Sequence, residues 1–369
     1  MARGFRDALG PRHPRLLPCR HAALRPRARR RIRRSHLPAG ARAAAVYDSS
    51  GARARIRQSA RAVTRAVVFA YHNVGVRCLK VLLAHGVEIP LVVTHLDTPG
   101  ETIWFDSVAA TAAEYGVRVL TPADPNAAEI VAQVAECRPD FLFSFYYRLM
   151  LKAPLLALAR QGAFNMHGSL LPQYRGRVPV NWAIIRGETE TGATLHYMTE
   201  RPDDGDIVAQ TAVPILPDDT AKEVVDKVTV AAELALDGVL PALVAGTAPR
   251  RPQDLSRGGY FGGRKPEDGV VDWSKSAVEI HNLVRAVAPP YPGARTSLRG
   301  RPARILRTRV LDPGVPAAKT PSLMAASKRM VAHCGAGGTL LILALEIEGE
   351  IVCADSLARV LGGVPVPLA

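Results

Sequence analysis

The chain has 369 residues, 48% of them hydrophobic, 5% aromatic and 22% charged, enough for two domains with a sizeable core. No stretch approaches the roughly 18 unbroken apolar residues of a membrane span, and five scattered cysteines without a C-x-x-C pair exclude a disulfide framework or zinc ribbon and suit a reducing cytosol. The formal net charge of +15 would suggest a nucleic-acid binder, but residues 1–65 hold 18 Arg, no Lys and only Asp7 and Asp48, a net +16 that leaves the remainder close to neutral.

Segment 1–65 carries too much like charge and too little apolar surface to pack a core, so its composition reads as a disordered tail. A transit-like leader and a basic arm for nucleic acid or anionic lipid are two readings of it. Its exclusive use of Arg, with Ala and Pro around it, favours a third: translated GC-rich sequence upstream of the working start.

From Ala66 short β-branched runs alternate with helical stretches. Strands are expected at 67–71, 89–94, 117–120, 141–145 and 162–166, and helices after 72 and over 107–115 and 127–137. This spacing implies an α/β fold, a Rossmann-like and mainly parallel sheet with helices on both faces, whose ligands lie beyond the carboxyl ends of the strands. A helix near 180–185 and strands at 193–198 and 207–213 follow. Thr220-Ala-Lys-Glu223 is a capping box that opens a long helix. Residues 247–265, rich in Arg, Pro and Gly, place a linker over 251–269 between a catalytic domain, 66–250, and a C-terminal domain, 270–369. In the latter a helix over 277–287 precedes strand-like text at 303–311 and 339–347, which suggests a smaller β-barrel (OB-like) domain.

The densest polar cluster is Phe164-Asn-Met-His-Gly-Ser-Leu-Leu-Pro-Gln-Tyr-Arg-Gly-Arg177. In an extended strand Asn165 and His167 are two apart and share a face, emerging at the carboxyl edge of the sheet. An amide that can hold an oxyanion beside an imidazole that can move a proton suits acyl transfer. Arg201-Pro-Asp-Asp-Gly-Asp206 is a tight turn that can bring a carboxylate to His167 and favour its protonated form. Spacing alone does not choose among Asp203, Asp204 and Asp206. His72, His85, His95, His281 and His333 read as structural, and Arg175 and Arg177 can equally be a solvated loop face.

From Val67 to about residue 300 the chain resembles the formyltransferase domain of the enzymes that formylate UDP-4-amino-4-deoxy-L-arabinose, within the 10-formyltetrahydrofolate-dependent formyltransferase family. The resemblance rests on Val68-Phe-Ala-Tyr-His72, Phe143-Ser-Phe-Tyr-Tyr-Arg148, Phe164-Asn-Met-His-Gly-Ser-Leu-Leu-Pro172, Tyr174-Arg-Gly-Arg177, Asn181-Trp182 and Gly187-Glu-Thr-Glu-Thr-Gly192. It continues through Thr194-Leu-His196, Ile207-Val-Ala-Gln210 and His281-Asn-Leu-Val-Arg-Ala-Val287. Asn-x-His-x-Ser-Leu-Leu-Pro belongs to the wider family, and the flanking text points to the amino-sugar branch.

The resemblance implies that His167 transfers the proton, Asn165 stabilises the oxyanion and Asp203 supports the protonated histidine. It also implies 10-formyltetrahydrofolate as co-substrate, with contacts at Leu149, Met150, Leu151 and Arg177 and at Thr199, Glu200, Arg201, Pro202 and Asp203. Leu149 and Met150 differ in side chain from the family pattern, which matters little if the contact is through backbone. The acceptor implied is an amino-sugar nucleotide, in a step of lipid A modification linked to polymyxin resistance, and no metal is expected. The enzymes it resembles continue into a decarboxylating dehydrogenase domain, so that activity is expected from a separate protein. Formylation of methionyl-tRNA is the rival with the same chemistry. Residues 95–106, where that branch carries a basic loop, hold three acids and no Lys or Arg, and the near-neutral folded part also argues against a polyanion. A non-enzymatic folate-binding protein is the rival of another class, and the three filled catalytic positions argue against it.

Overall fold

A computed structural model describes residues 63–98, 100, 102–326, 328–361 and 364–368; the arginine-rich segment up to residue 62 lies outside the described residues. The first part of the chain alternates strand and helix. It runs β1 (Arg65–Ala70), α1 (His72–Ala84), β2 (Glu88–Val93), α2 (Val108–Glu114), β3 (Val119–Leu120), α3 (Ala128–Glu136), β4 (Phe141–Phe145), α4 (Ala153–Leu156) and β5 (Gly162–His167). There follow β6 (Arg175–Gly176), α5 (Pro179–Ile185), β7 (Glu190–Tyr197), β8 (Ile207–Pro214) and α6 (Ala221–Val244).

Seven of these strands form one sheet in the order β3-β2-β1-β4-β5-β7-β8. β1 to β5 pair in parallel, and β7 runs antiparallel to both β5 and β8. The central strands are buried on both faces, which is why β1 and β4 read as almost wholly apolar runs, with Ser144 the buried polar exception in β4. Their side chains alternate between two cores. Val68, Phe143, Phe145, Phe164 and Met166 pack under α1 and α6, whereas Val67, Phe69, Leu142 and Ala163 pack with Ile130 and Val134 of α3 and Leu155 of α4. Asn165 and His167 have the same parity as Ala163 and so belong to the second face, at the carboxyl end of β5.

The expected capping box opens α6: the Thr220 hydroxyl accepts from the Glu223 amide, and the Thr220 amide donates to the Glu223 carboxylate at 2.7 Å. Residues 251–269 hold two 3-10 turns and β9 (Tyr260–Phe261), which pairs in parallel with β6. Beyond them come α7 (Ala277–Ala286), β10 (Ala294–Leu298), β11 (Arg301–Asp312), β12 (Ser322–Ala326), β13 (Arg329–His333), β14 (Thr339–Ile347), β15 (Glu350–Val352), α8 (Ala354–Leu361) and β16 (Val366–Pro367). These strands make an antiparallel sheet, β10-β11-β14-β13-β12-β16 with β15 on β14, curled as a half-barrel around its own core.

α7 fastens this sheet to the first. The buried Asn181 amide on α5 donates to the Ala286 carbonyl at 2.7 Å, and Arg285 donates to the carbonyls of Leu216 and Asp219 before α6. His281 is buried between Thr308 and the Pro217 carbonyl, in keeping with the structural reading given to the lone histidines. Among the described residues no helix is long and apolar enough to cross a membrane.

Candidate active site

The strand order turns back on either side of β1, so the chain leaves β1 and β4 in opposite directions and opens a crevice beyond their carboxyl ends. A cavity of about 550 Å³ lies there, within the range of a small-ligand site. Its floor comes from Tyr71 after β1, from Ser144 and Tyr146 to Leu151 at and beyond the end of β4, and from Asn165 to Gly168 at the end of β5.

Four polar side chains meet at one corner. The Asp203 Oδ1 atom is 3.5 Å from His167 Nδ1, 3.5 Å from His196 Nε2 and 3.4 Å from Asn165 Nδ2. His167 is 6% exposed, His196 2% and Asp203 9%. The His167 Nε2 atom lies 2.8 Å from the Tyr174 carbonyl, which has no proton to give, so Nε2 is the donor. That leaves Nδ1, facing Asp203, as the ring nitrogen able to gain or lose a proton. The same reasoning makes His196 Nδ1 the donor to the Tyr197 carbonyl at 2.8 Å. In its neutral form His196 then offers the lone pair of Nε2 to the Asn165 amide at 3.1 Å. This fixes which end of the carboxamide is the NH2 group.

Burial opposes the charge on Asp203, but the attraction of His167, the hydrogen bond and charge that His196 supplies when protonated, and the Gly176 amide, 2.8 Å from Oδ2, outweigh it. Its carboxyl is held well below the usual carboxylate range, so it stays ionised at neutral pH. Asp204 and Asp206 are used elsewhere, accepting from Thr199 and Arg250 respectively. Asp203 is thus the aspartate of the turn that faces the imidazole.

Backbone strain gathers at the same place. Of nine non-glycine residues with positive φ among the described residues, His72, Tyr146, Val178 and Asp203 line the cavity, and Tyr174 supplies the carbonyl that meets His167. Left-handed backbone in such side chains is costly and persists where the surroundings impose it. Gly168 illustrates the crowding, since a Cβ there would stand 2.1 Å from the Tyr146 hydroxyl.

The other residues singled out in the sequence come together around this corner. Leu149, Met150 and Leu151 border the cavity, Leu151 buried and the first two 40% and 52% exposed. Arg177, Thr199, Arg201 and Pro202 border it too, whereas Glu200 is exposed and does not. The sequence reading missed His196, which the antiparallel register of β5 and β7 sets directly opposite Asn165. It also missed an aromatic part of the lining. His72, read as structural, packs against Trp104 at 4.6 Å and Phe105 at 4.3 Å, and Trp104 meets Tyr291 at 6.0 Å. Trp104 and Phe105 lie in the very segment weighed for its lack of basic charge, where they were a legible signal.

Among solved structures, the chain is similar in fold to the N-formyltransferase from Helicobacter canadensis in complex with folinic acid and dTDP-3-aminofucose. That match is 19% identical with a TM-score of 0.61 and covers 76% of this chain and 99% of the other. WlaRD, a sugar 3N-formyl transferase solved with dTDP and 5-N-formyl-THF, is 18% identical with a TM-score of 0.60, covering 78% of this chain and 99% of its own. HypX from Aquifex aeolicus in complex with tetrahydrofolic acid is 19% identical with a TM-score of 0.53, covering 81% of this chain but 47% of HypX. These likenesses show a shared fold. The formyl transferase family model matches residues 76–240, and the model of the formyl transferase C-terminal domain matches residues 264–359. The two lie in the same order as the parallel sheet with its polar corner and the half-barrel, span most of the chain together, and place it in the formyl transferase family, as a formyltransferase.

Proposed function

We propose that this formyltransferase moves the formyl group of 10-formyltetrahydrofolate to the amine of an amino-sugar nucleotide, with UDP-4-amino-4-deoxy-L-arabinose as the acceptor. The observation that carries the reading is the convergence of the Asn165 amide, the His167 imidazole and the ionised Asp203 at one corner of a cavity large enough for both substrates' reacting ends.

In this reading the acceptor amine attacks the formyl carbon, and Asn165 Nδ2 turns the N–H that rests 3.4 Å from Asp203 Oδ1 to the oxygen as it becomes an oxyanion. A single donor of this kind is worth roughly 10²–10³ in turnover. His167 Nδ1 takes the proton released by the attacking nitrogen and returns it to the folate nitrogen as the carbon–nitrogen bond breaks, leaving a formamide and tetrahydrofolate. Acid–base assistance of this type contributes roughly 10²–10⁴. Asp203 remains charged throughout and stabilises the transient imidazolium. The rim at Leu149–Leu151, Arg177 and Thr199–Pro202 borders the same corner and is assigned to the folate, with Glu200 adjoining it from outside the cavity.

The aromatic part of the lining suits the acceptor's ring systems, because flat apolar faces stack well at low cost in side-chain entropy. The solved relatives with bound dTDP or dTDP-3-aminofucose support a nucleotide-linked sugar as the acceptor class. The acceptor itself rests on the resemblance of the flanking sequence, and with it the place in lipid A modification. Incubating the full chain with 10-formyltetrahydrofolate and a panel of amino-sugar nucleotides, and following formyl mass gain, tests both levels. Transfer to UDP-4-amino-4-deoxy-L-arabinose above all others is expected. Transfer to a different amino sugar corrects the acceptor, and transfer to none of them overturns the proposal.

A further inference from the structure

The stretch that leaves the parallel sheet for the half-barrel does more than connect them. The Arg251 backbone pairs with Ile207 in both directions, at 2.7 and 2.9 Å, so the chain re-enters beside the Asp203 turn. The next side chain but one, Gln253, then reaches that turn. Its Nε2 donates to the carbonyl of Asp203 at 3.1 Å and to that of Gly205 at 2.6 Å. The carboxamide oxygen of Gln253 is buried and accepts from no group among the described residues. Leaving a buried acceptor unpaired is destabilising, so the residue is suited to this place by its two N–H donors.

Immediately afterwards the same stretch meets the other catalytic loop. The Arg175 amide donates to the Gly259 carbonyl at 3.0 Å and the Arg177 amide to the Phe261 carbonyl at 2.8 Å. The Tyr174 ring stacks on Phe261, with centroids 5.0 Å apart. This loop carries the carbonyl that holds His167 Nε2 and the Gly176 amide that holds Asp203 Oδ2. One segment therefore grips both halves of the site, the turn bearing Asp203 and the loop that braces Asp203 and His167. Asp203 has φ +57°, a conformation that needs such external support.

We infer that Gln253 is a positioning residue for formyl transfer: by holding the left-handed Asp203 turn while β9 holds the Tyr174–Arg177 loop, it sets the distance between carboxylate and imidazole. This rests on the catalytic reading of Asn165, His167 and Asp203 given above. Gln253 lies outside the cavity and meets its lining only at Asp203, through the backbone carbonyl, so its loss acts on the rate more than on substrate capture.

The test uses the full chain with Gln253→Met, close in shape but without donors, and Gln253→Glu, close in shape with a carboxylate facing two carbonyls. Each is assayed for kcat, for both KM values and for melting temperature, beside His167→Ala. A misplacement of about 1 Å costs on the order of 10²-fold in rate, so a fall in kcat of roughly 10- to 100-fold is expected, with both KM values within about threefold of the parent. A kcat loss below tenfold, or a loss confined to KM, overturns the inference. If one variant fails to fold the other decides, and failure of both marks a purely structural residue and also overturns it. Undiminished activity of His167→Ala is a separate result, which sinks the catalytic reading and this inference with it.

Discussion

Half-buried Asn165 and buried His167, His196 and Asp203 form a corner in which the ring nitrogens and carboxylate oxygens already have protein partners, all within 3.5 Å. A few steps along the same cavity, His72, Trp104, Phe105 and Tyr291 present rings that touch one another mostly edge to face. The corner is specified by hydrogen-bond geometry, which tolerates little displacement. The aromatic part is specified by area and shape, which tolerate more. In the proposed function, chemistry that depends on proton position belongs to the first, and capture of a large acceptor belongs to the second.

The largest expected effect breaks the corner. His167→Ala lowers kcat by roughly 10²–10⁴, and Asn165→Ala by roughly 10²–10³, in single-turnover formyl transfer with circular dichroism unchanged. Activity within threefold of the parent in both would remove the distinction between the two regions.

Asp203→Asn probes the same corner through stability. The folded-state pKa of Asp203 lies below its ordinary value of 3.8, so the folded chain binds fewer protons there than the unfolded chain. Its contribution is present above about 3.8 and is lost as pH falls through the lower, folded value. Urea titrations should therefore show the parent more stable than Asp203→Asn by about 1–3 kcal/mol at pH 7, with the gap closing under acid. A gap that widens as pH falls would show that the carboxylate is not stabilised by its neighbours.

Trp104→Ala sharpens the comparison from the aromatic side. The loss of one stacking ring is worth about 1.4 kcal/mol, or roughly tenfold in the KM of the acceptor. The KM for 10-formyltetrahydrofolate and kcat should stay within about twofold. A fall in kcat alone would place Trp104 with the catalytic corner instead.

The smallest effect is a control remote from both regions. Ser276 caps α7 in a reciprocal arrangement with Glu279, its amide 3.0 Å from the Glu279 carboxylate. Ser276→Ala should cost about 1 kcal/mol in thermal or urea unfolding while leaving formyl transfer unchanged.

Much of this molecule was written in local pattern. The apolar runs of β1 and β4, the capping box of α6 and the β14 strand at 339–347 were readable because each depends on a few consecutive residues and a period of two or 3.6. Period two also put Asn165 and His167 on one face, and no tertiary information was needed for that. The choice of Asp203 among three aspartates came from family resemblance, since spacing within a turn does not say which carboxylate points inward. The short strands β6 and β9 escaped notice because two residues carry no periodicity.

What the amino-acid sequence determined by itself was the type of each long element and the presence of an amide and an imidazole at the rim of the sheet. Tertiary structure decided which distant groups would join them. His196 faces Asn165 only through the antiparallel register of β7 on β5, Tyr291 reaches Trp104 only because α7 docks on α5, and Gln253 reaches Asp203 only after the chain has passed through the whole of α6. Alternation along a strand is a property of neighbours in the chain, whereas register and docking are set by the packing of surfaces far apart in it, and one sequence read in order does not display that.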